Sequence, residues 1–163
     1  MAILLFTGVD KSGKSTLMNE VLKTTNRHIC VDRFTACQYV YGELKNKVDT
    51  PEIFELRKLE AWMSVAPIPA FFVYVSAETH IIAKRFKEHN ETDIHVSQIV
   101  KVKEGYTKYL QNSPLRVINI NTSRLSVEEA TDLIIQTADL FEKQIKIQRD
   151  VSRVFDYLGH WEC

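Results

Sequence analysis

Eight consecutive residues near the start of the chain, Gly8-Val9-Asp10-Lys11-Ser12-Gly13-Lys14-Ser15, satisfy the pattern G-x-x-x-x-G-K-[ST]. Each fixed position has a physical reason. Gly8 and Gly13 let the backbone turn where a side chain would clash. The N–H groups of the loop, Ser12 among them, then point inward and form a nest for an anion. A helix beginning near Lys14 adds its positive N-terminal end. The Lys14 ammonium can reach the β- and γ-phosphates of a triphosphate, and the Ser15 hydroxyl can ligate Mg²⁺. In a chain of 163 residues, with glycine near ~7% of residues, a chance match is on the order of one per cent. The alternative, a glycine turn beside a surface lysine, is weaker still because the motif follows an apolar run and precedes an amphipathic stretch.

A second constellation is Ile29-Cys30-Val31-Asp32-Arg33-Phe34. A strand that ends in Asp beside a phosphate-binding loop is where a carboxylate supporting Mg²⁺ belongs. Arg33 would project into the same cleft, and its planar guanidinium suits an acceptor phosphate. Read alone, Asp32-Arg33 would be a solvated surface turn. Asn46-Lys47-Val48-Asp49 spells the guanine-reading N-K-x-D of GTPases. It follows a helical pattern rather than a buried strand, and no D-x-x-G precedes it, so a helix end and loop is the better reading. His28, His80, His89, His95 and His160 show no ligand spacing, which argues against metal binding by histidine.

Positioning these groups requires an alternation of strands and helices. Ala2–Thr7 is a short continuous apolar run, as in a strand buried on both faces of a parallel sheet. Lys14–Thr25 carries Leu17, Met18, Val21 and Leu22 at helical spacing. His28–Val31 reads as a second strand leading to Asp32, followed by helical patterns at about Ala36–Lys47 and Pro51–Val65. Thr50 before Pro51 looks like an N-cap with proline at the first helical position. Ala70–Ser76 and Leu115–Asn121 read as strands, and Glu78–Glu88 and Val96–Gln111 as helices. A polar loop at His89–Asp93 lies between those two helices, in a lid region near 89–95. Ser126, with Glu129 three residues on, resembles a capping box opening a helix to Ile147. The tail, Gln148–Cys163, shows no clear period, and its Phe155, Tyr157 and Trp161 suit covering of the core or a homodimer partner. The order predicts an α/β fold of the P-loop NTPase type, a parallel sheet with helices on both faces, in a single domain over 1–163.

The composition narrows the function classes. Hydrophobic residues make up 45% and charged residues 26%, ordinary for a globular domain. Lys+Arg (21) balances Asp+Glu (21), so no net field draws in a polyanion, and a nucleic-acid partner is possible but not favoured. Three cysteines without paired spacing do not read as a disulfide or zinc framework. No apolar run reaches the length of a membrane span, and the expectation is a soluble cytoplasmic protein without a membrane partner.

The stretch Phe6–Thr16 resembles the P-loop of thymidylate kinases, Asp10 included. Asp32-Arg33-Phe34 through Gly42 is similar to that family's D-R-[YFH] motif and following helix, with Tyr41 on its A-Y position and Cys37 in place of the usual serine. Pro69–Ser76, Ile82–Phe86 and Glu104–Leu110 resemble further strand and helix signatures of the family. The resemblance implies an ATP- and Mg²⁺-dependent kinase of a nucleoside or nucleotide acceptor. It implies that the loop residues Gly8, Ser12, Gly13, Lys14, Ser15 and Thr16 bind ATP, with Ser15 and Asp32 on the metal side. Asp10 would contact the acceptor sugar or organise the phosphates, and Lys11 would stabilise the transferring group. Arg33 would hold the acceptor phosphate, and Arg85 would lie near the adenine or phosphates. The family's segment between its first helix and the D-R motif is nearly absent here: only Thr24–His28 fills it. The acceptor side is therefore shortened or rebuilt. Helix Pro51–Val65 could supply a substitute wall through Phe54, Arg57, Lys58 and Trp62, although burial statistics favour Phe54, Leu59 and Trp62 as core. The leading reading is transfer of a γ-phosphoryl group to a (deoxy)nucleoside monophosphate. The alternatives are a kinase of a nucleotide or modified base within DNA, a deoxynucleoside kinase, and a nucleotide-binding regulatory module without turnover.

Overall fold

The computed structural model describes residues 1–45, 51–89 and 96–159. Thr50, the N-K-V-D stretch and residues 90–95 of the expected lid region lie outside them. The elements run β1 (Ile3–Thr7), α1 (Lys14–Thr24), β2 (Ile29–Asp32), α2 (Thr35–Leu44), α3 (Pro51–Val65), β3 (Ala70–Ser76), α4 (Thr79–Glu88), α5 (Val96–Gln111), β4 (Arg116–Asn121) and α6 (Val127–Gly159). The strands form one parallel sheet in the order β2-β1-β3-β4. Ile3 pairs with Ile29 on one side and Ala70 on the other, and Val73 pairs with Ile118.

Strand alternation sends successive side chains into two cores, one on each face of the sheet. Leu4 and Phe6 of β1, Phe71, Val73 and Val75 of β3, and Ile118 and Ile120 of β4 meet Leu17 and Val21 of α1 and Ala130, Ile134 and Ala138 of α6. Leu5, Phe72 and Tyr74 point the other way, onto Ala36 and Val40 of α2, Ile82 and Phe86 of α4, and Ile99 and Tyr106 of α5. Double-sided burial explains why β1 and β3 read as unbroken apolar runs. Each fully buried large side chain, such as Phe72, contributes about 1.5–3 kcal/mol.

Two expectations are corrected. Phe54 and Trp62 are each 62% exposed and Leu59 42%, so none is core. The inward line of α3 is Ile53, Glu60 and Met63. An inward carboxylate broke the apolar pattern and shifted the apparent face. Glu60 accepts hydrogen bonds from Tyr109 Oη (2.5 Å), Thr35 Oγ1 (3.3 Å) and Ser113 Oγ, which is how a carboxylate 2% exposed is accommodated. The second correction is α6, which continues past Ile147 through Gly159. No proline or glycine interrupts residues 148–158. Arg149 ties the helix to the α3–β3 connection, donating to Pro67 O (2.7 Å) and Ala66 O.

No helix among the described residues is long and apolar enough to cross a membrane.

Candidate phosphate-binding site

The loop between β1 and α1 sits at the C-terminal edge of the parallel sheet, where open α/β sheets bind ligands. Gly8 (φ 141°) and Gly13 (φ 95°) have positive φ. A Cβ at Gly8 would overlap the Val75 carbonyl oxygen of the neighbouring strand, so only glycine lets β1 leave the sheet there. Gly13 is the N-cap of α1 and provides no side-chain cap, and the first turn holds no acidic residue. The amides opening α1 are thus left for an anion, with the helix dipole behind them. Ser12 is fully buried and its hydroxyl has no hydrogen-bond partner. Lys14 is only 6% exposed. A buried ammonium, an unpaired hydroxyl and a glycine cradle are the donor set a polyphosphate requires. Ser15 and Thr16 are exposed on the same turn, where a hydroxyl can meet a hydrated Mg²⁺.

Asp10 and Arg33 meet across the mouth of this loop. Arg33 Nη2 donates to Asp10 Oδ1 (3.0 Å), Tyr41 Oη donates to Asp10 Oδ2 (3.2 Å), and Lys14 Nζ lies 3.8 Å from Oδ1. The Asp10 carboxylate raises the pKa of Arg33. Burial, then the same carboxylate, raises that of the Tyr41 phenol. Arg33 follows β2 directly, anchored by its N–H to Phe6 O (3.1 Å), and holds φ 59°. It shares that left-handed conformation with Lys11 (φ 63°), and among the described residues no other non-glycine does. A left-handed backbone at a non-glycine residue costs about 1 kcal/mol or more, and such residues cluster where a loop must aim a group.

Two clefts adjoin across the loop and share Lys11, Gly13 and Thr16. One, of about 380 Å³, is lined by Asp10, Lys14, Ser15 and Arg33 and is the more polar. The other, of about 340 Å³, is lined by Leu17, Arg85, His89 and the segment Thr122, Leu125, Ser126 and Val127. Arg85 Nη1 donates to Lys11 O (3.0 Å) and Thr122 Oγ1 (3.2 Å), while Thr122 Oγ1 donates to Ser12 O (2.7 Å). Arg85 therefore buttresses the loop and walls the second cleft.

Asp10, Lys11, Ser12, Gly13, Lys14, Ser15, Thr16, Arg33 and Arg85 all come together here, with Gly8 at the base of the loop. Asp32 does not line either cleft: it is exposed at the end of β2, the edge strand. Sequence reasoning did not single out the wall from Thr122 to Val127, because a strand-to-helix loop of small and apolar residues carries no signature. Nor did it join Tyr41 to Asp10, because only the fold brings α2 beside the loop.

Two solved structures share this fold. The YorR protein of Bacillus subtilis, in a crystal structure with phosphorylated GDP, superposes with a TM-score of 0.67 at 19% identity, covering 87% of this chain and 98% of that one. Thymidylate kinase from Candida albicans gives a TM-score of 0.52 at 13% identity, covering 86% and 92%. Neither the protein-family models nor the curated proteins include a match to this sequence.

Proposed function

We propose that the protein is a phosphotransferase that moves the γ-phosphoryl group of ATP to a nucleoside monophosphate. The observation that carries the reading is Asp10, whose carboxylate faces Lys14 of the donor-phosphate loop and Arg33 beyond it. A module that merely binds a nucleotide has no use for an arginine aimed across the loop. The similarity to a thymidylate kinase and to a protein that binds phosphorylated GDP supports a nucleotide as the ligand class.

The residues would act by positioning and charge neutralisation. The loop amides and the Ser12 hydroxyl hold the donor phosphates, and Lys14 spans the β- and γ-groups. The cleft beside Arg85 takes the donor base, with Leu125 and Val127 as its apolar wall. Arg33, 58% exposed at its side chain, exchanges Asp10 for the acceptor phosphate. Asp10 then faces the acceptor sugar, and Lys11 lies beside the transferring group. Mg²⁺, when bound at Ser15, would supply neutralisation of the β- and γ-oxygens; the exposed Asp32 would support it through water.

A second reading, an acceptor nucleotide embedded in DNA, is favoured by one observation. Only residues 25–28 link α1 to β2, so the acceptor side carries little covering structure. Turnover of ATP or GTP with a panel of free deoxynucleoside monophosphates, deoxynucleosides and short oligonucleotides tests both. Phosphorylation of free monophosphates is expected. Transfer to oligonucleotides alone would replace the first reading with the second, and no transfer to any acceptor would overturn both.

A further inference from the structure

At the edge of the sheet opposite the phosphate loop, three potential ligands converge from distant parts of the sequence. His28 immediately precedes β2, and Asp139 and Glu142 lie one turn apart on α6. One donor atom from each lies within 4.8 Å of the other two. We propose that His28, Asp139 and Glu142 bind one divalent transition-metal ion of the zinc type, at a site separate from the phosphate loop.

The unpaired atoms carry the argument. His28 is 5% exposed, and neither ring nitrogen makes a hydrogen bond. Its Nε2 points at Asp139 Oδ1, 3.5 Å away. Asp139 Oδ1 and Glu142 Oε2 are themselves buried and without a hydrogen bond. The other oxygen of each carboxylate is engaged: Asp139 Oδ2 accepts from Arg27 Nη1 (3.4 Å), and Glu142 Oε1 from the Met1 amino group (2.6 Å). Each carboxylate thus has one oxygen held by a cation through a hydrogen bond, while the other, and both nitrogens of the imidazole beside it, make none. Buried polar atoms are almost always paired, so three orphans at mutual ligand distance describe a missing partner. That partner must accept lone pairs from all three. Arg27 approaches both inner oxygens without a hydrogen bond, Nη1 to 3.4 Å from Asp139 Oδ1 and Nη2 to 3.7 Å from Glu142 Oε2, and leaves both imidazole nitrogens unbonded.

Nitrogen and carboxylate oxygen together select a borderline ion such as Zn²⁺ or Co²⁺ over Mg²⁺ or Ca²⁺, which prefer all-oxygen shells. Zinc ligands at about 2.0–2.2 Å from the ion require the donors to close from separations of up to 4.8 Å. Burial lowers the His28 pKa, which favours the neutral ring that coordinates. Three protein ligands leave a fourth position for water. Because α6 and Cys30 of β2 border the same core, the ion would clip the residue before the edge strand to α6. No sequence spacing shows this set; only the fold brings His28 to α6.

Equilibrium dialysis of the full chain against Zn²⁺, with metal analysis, is expected to give one ion per chain. Asp139→Asn and Glu142→Gln should each weaken binding by at least about tenfold, with Mg·ATP binding unchanged. Zn²⁺ titration of the unmodified protein, followed by imidazole NMR, guards against variants that fold poorly. The His28 resonances should shift and saturate at one equivalent, ahead of those of the other histidines. Unmoved His28 resonances would overturn the proposal, as would zinc binding undiminished in both folded variants, or no binding at all.

Discussion

Arg33 and Asp10 form an ion pair across the mouth of the phosphate loop, with Nη2 3.0 Å from Oδ1. Arg33 leaves the edge strand β2 in a left-handed conformation that aims its side chain back over the loop following β1. Asp10 in turn lies 3.8 Å from the nearly buried Lys14 ammonium. In the proposed reading, the donor and acceptor sides therefore share one carboxylate, and occupation of either would alter the charge felt by the other.

Removing the guanidinium separates the two sides. Arg33→Ala is expected to lower kcat/KM for the acceptor by about a hundredfold or more, the loss of a charged hydrogen bond together with positioning. Affinity for Mg·ATP should change by less than about threefold, because the amides, Ser12 and Lys14 remain. Initial rates at varied acceptor, paired with calorimetric ATP titration, check this. An equal fall in both would mean that Arg33 serves the donor. Tyr41→Phe, which removes one of the bonds to Asp10, is expected to cost less than about tenfold in the same assay.

Gly8 is predicted to admit no side chain. In Gly8→Ala the new Cβ would overlap the Val75 carbonyl oxygen, and φ 141° is itself unfavourable for alanine. The clash lies between two central strands, so destabilisation should exceed about 4 kcal/mol. Chemical denaturation followed by circular dichroism is expected to show an unfolded or strongly weakened protein. A native-like midpoint would contradict the backbone path described for the loop.

The capping box at α6 makes a pH-dependent contribution. Ser126 N–H donates to Glu129 Oε2 (2.8 Å), and Glu129 N–H donates to Ser126 Oγ (3.2 Å). These bonds hold the Glu129 carboxyl below its usual pKa, the backbone bond from Ser126 most of all. A depressed folded-state pKa contributes stability above the unfolded value of 4.5, lost as pH falls through the folded value. Ser126→Ala should cost about 1 kcal/mol at neutral pH. Thermal melts should show the gap between wild type and Glu129→Ala narrowing as pH falls below the pKa of an ordinary glutamate. A gap that widens in acid would contradict the assignment.

Much of this architecture was legible in the residues because the strongest signals are local. The run Ile3–Thr7, the glycine-bounded loop and the capping box each specify their own geometry within a few residues. The alternation of such segments leads directly to a parallel sheet. What the sequence concealed depends on contacts between distant segments. Glu60 turns inward because Tyr109, Thr35 and Ser113 supply hydroxyls from α5, α2 and the turn before β4, and without them its helix reads with the wrong face buried. The extension of α6 beyond Ile147 was hidden by the polar Gln148 and Arg149, and Arg149 proves to be a tether to Ala66 and Pro67. The loop motif singled out Lys14, the end of the second strand Arg33, and the family resemblance Arg85. The wall from Thr122 to Val127 emerged only when β4 delivered it beside the loop.

The most direct test of the account is calorimetric titration of the purified chain with Mg·ATP, alongside Lys14→Ala. The loop geometry predicts one binding event per chain in the wild type, weakened at least about tenfold when the buried ammonium is removed. Absence of binding by either Mg·ATP or Mg·GTP, or binding indifferent to Lys14, would contradict the claim that this loop is a polyphosphate cradle.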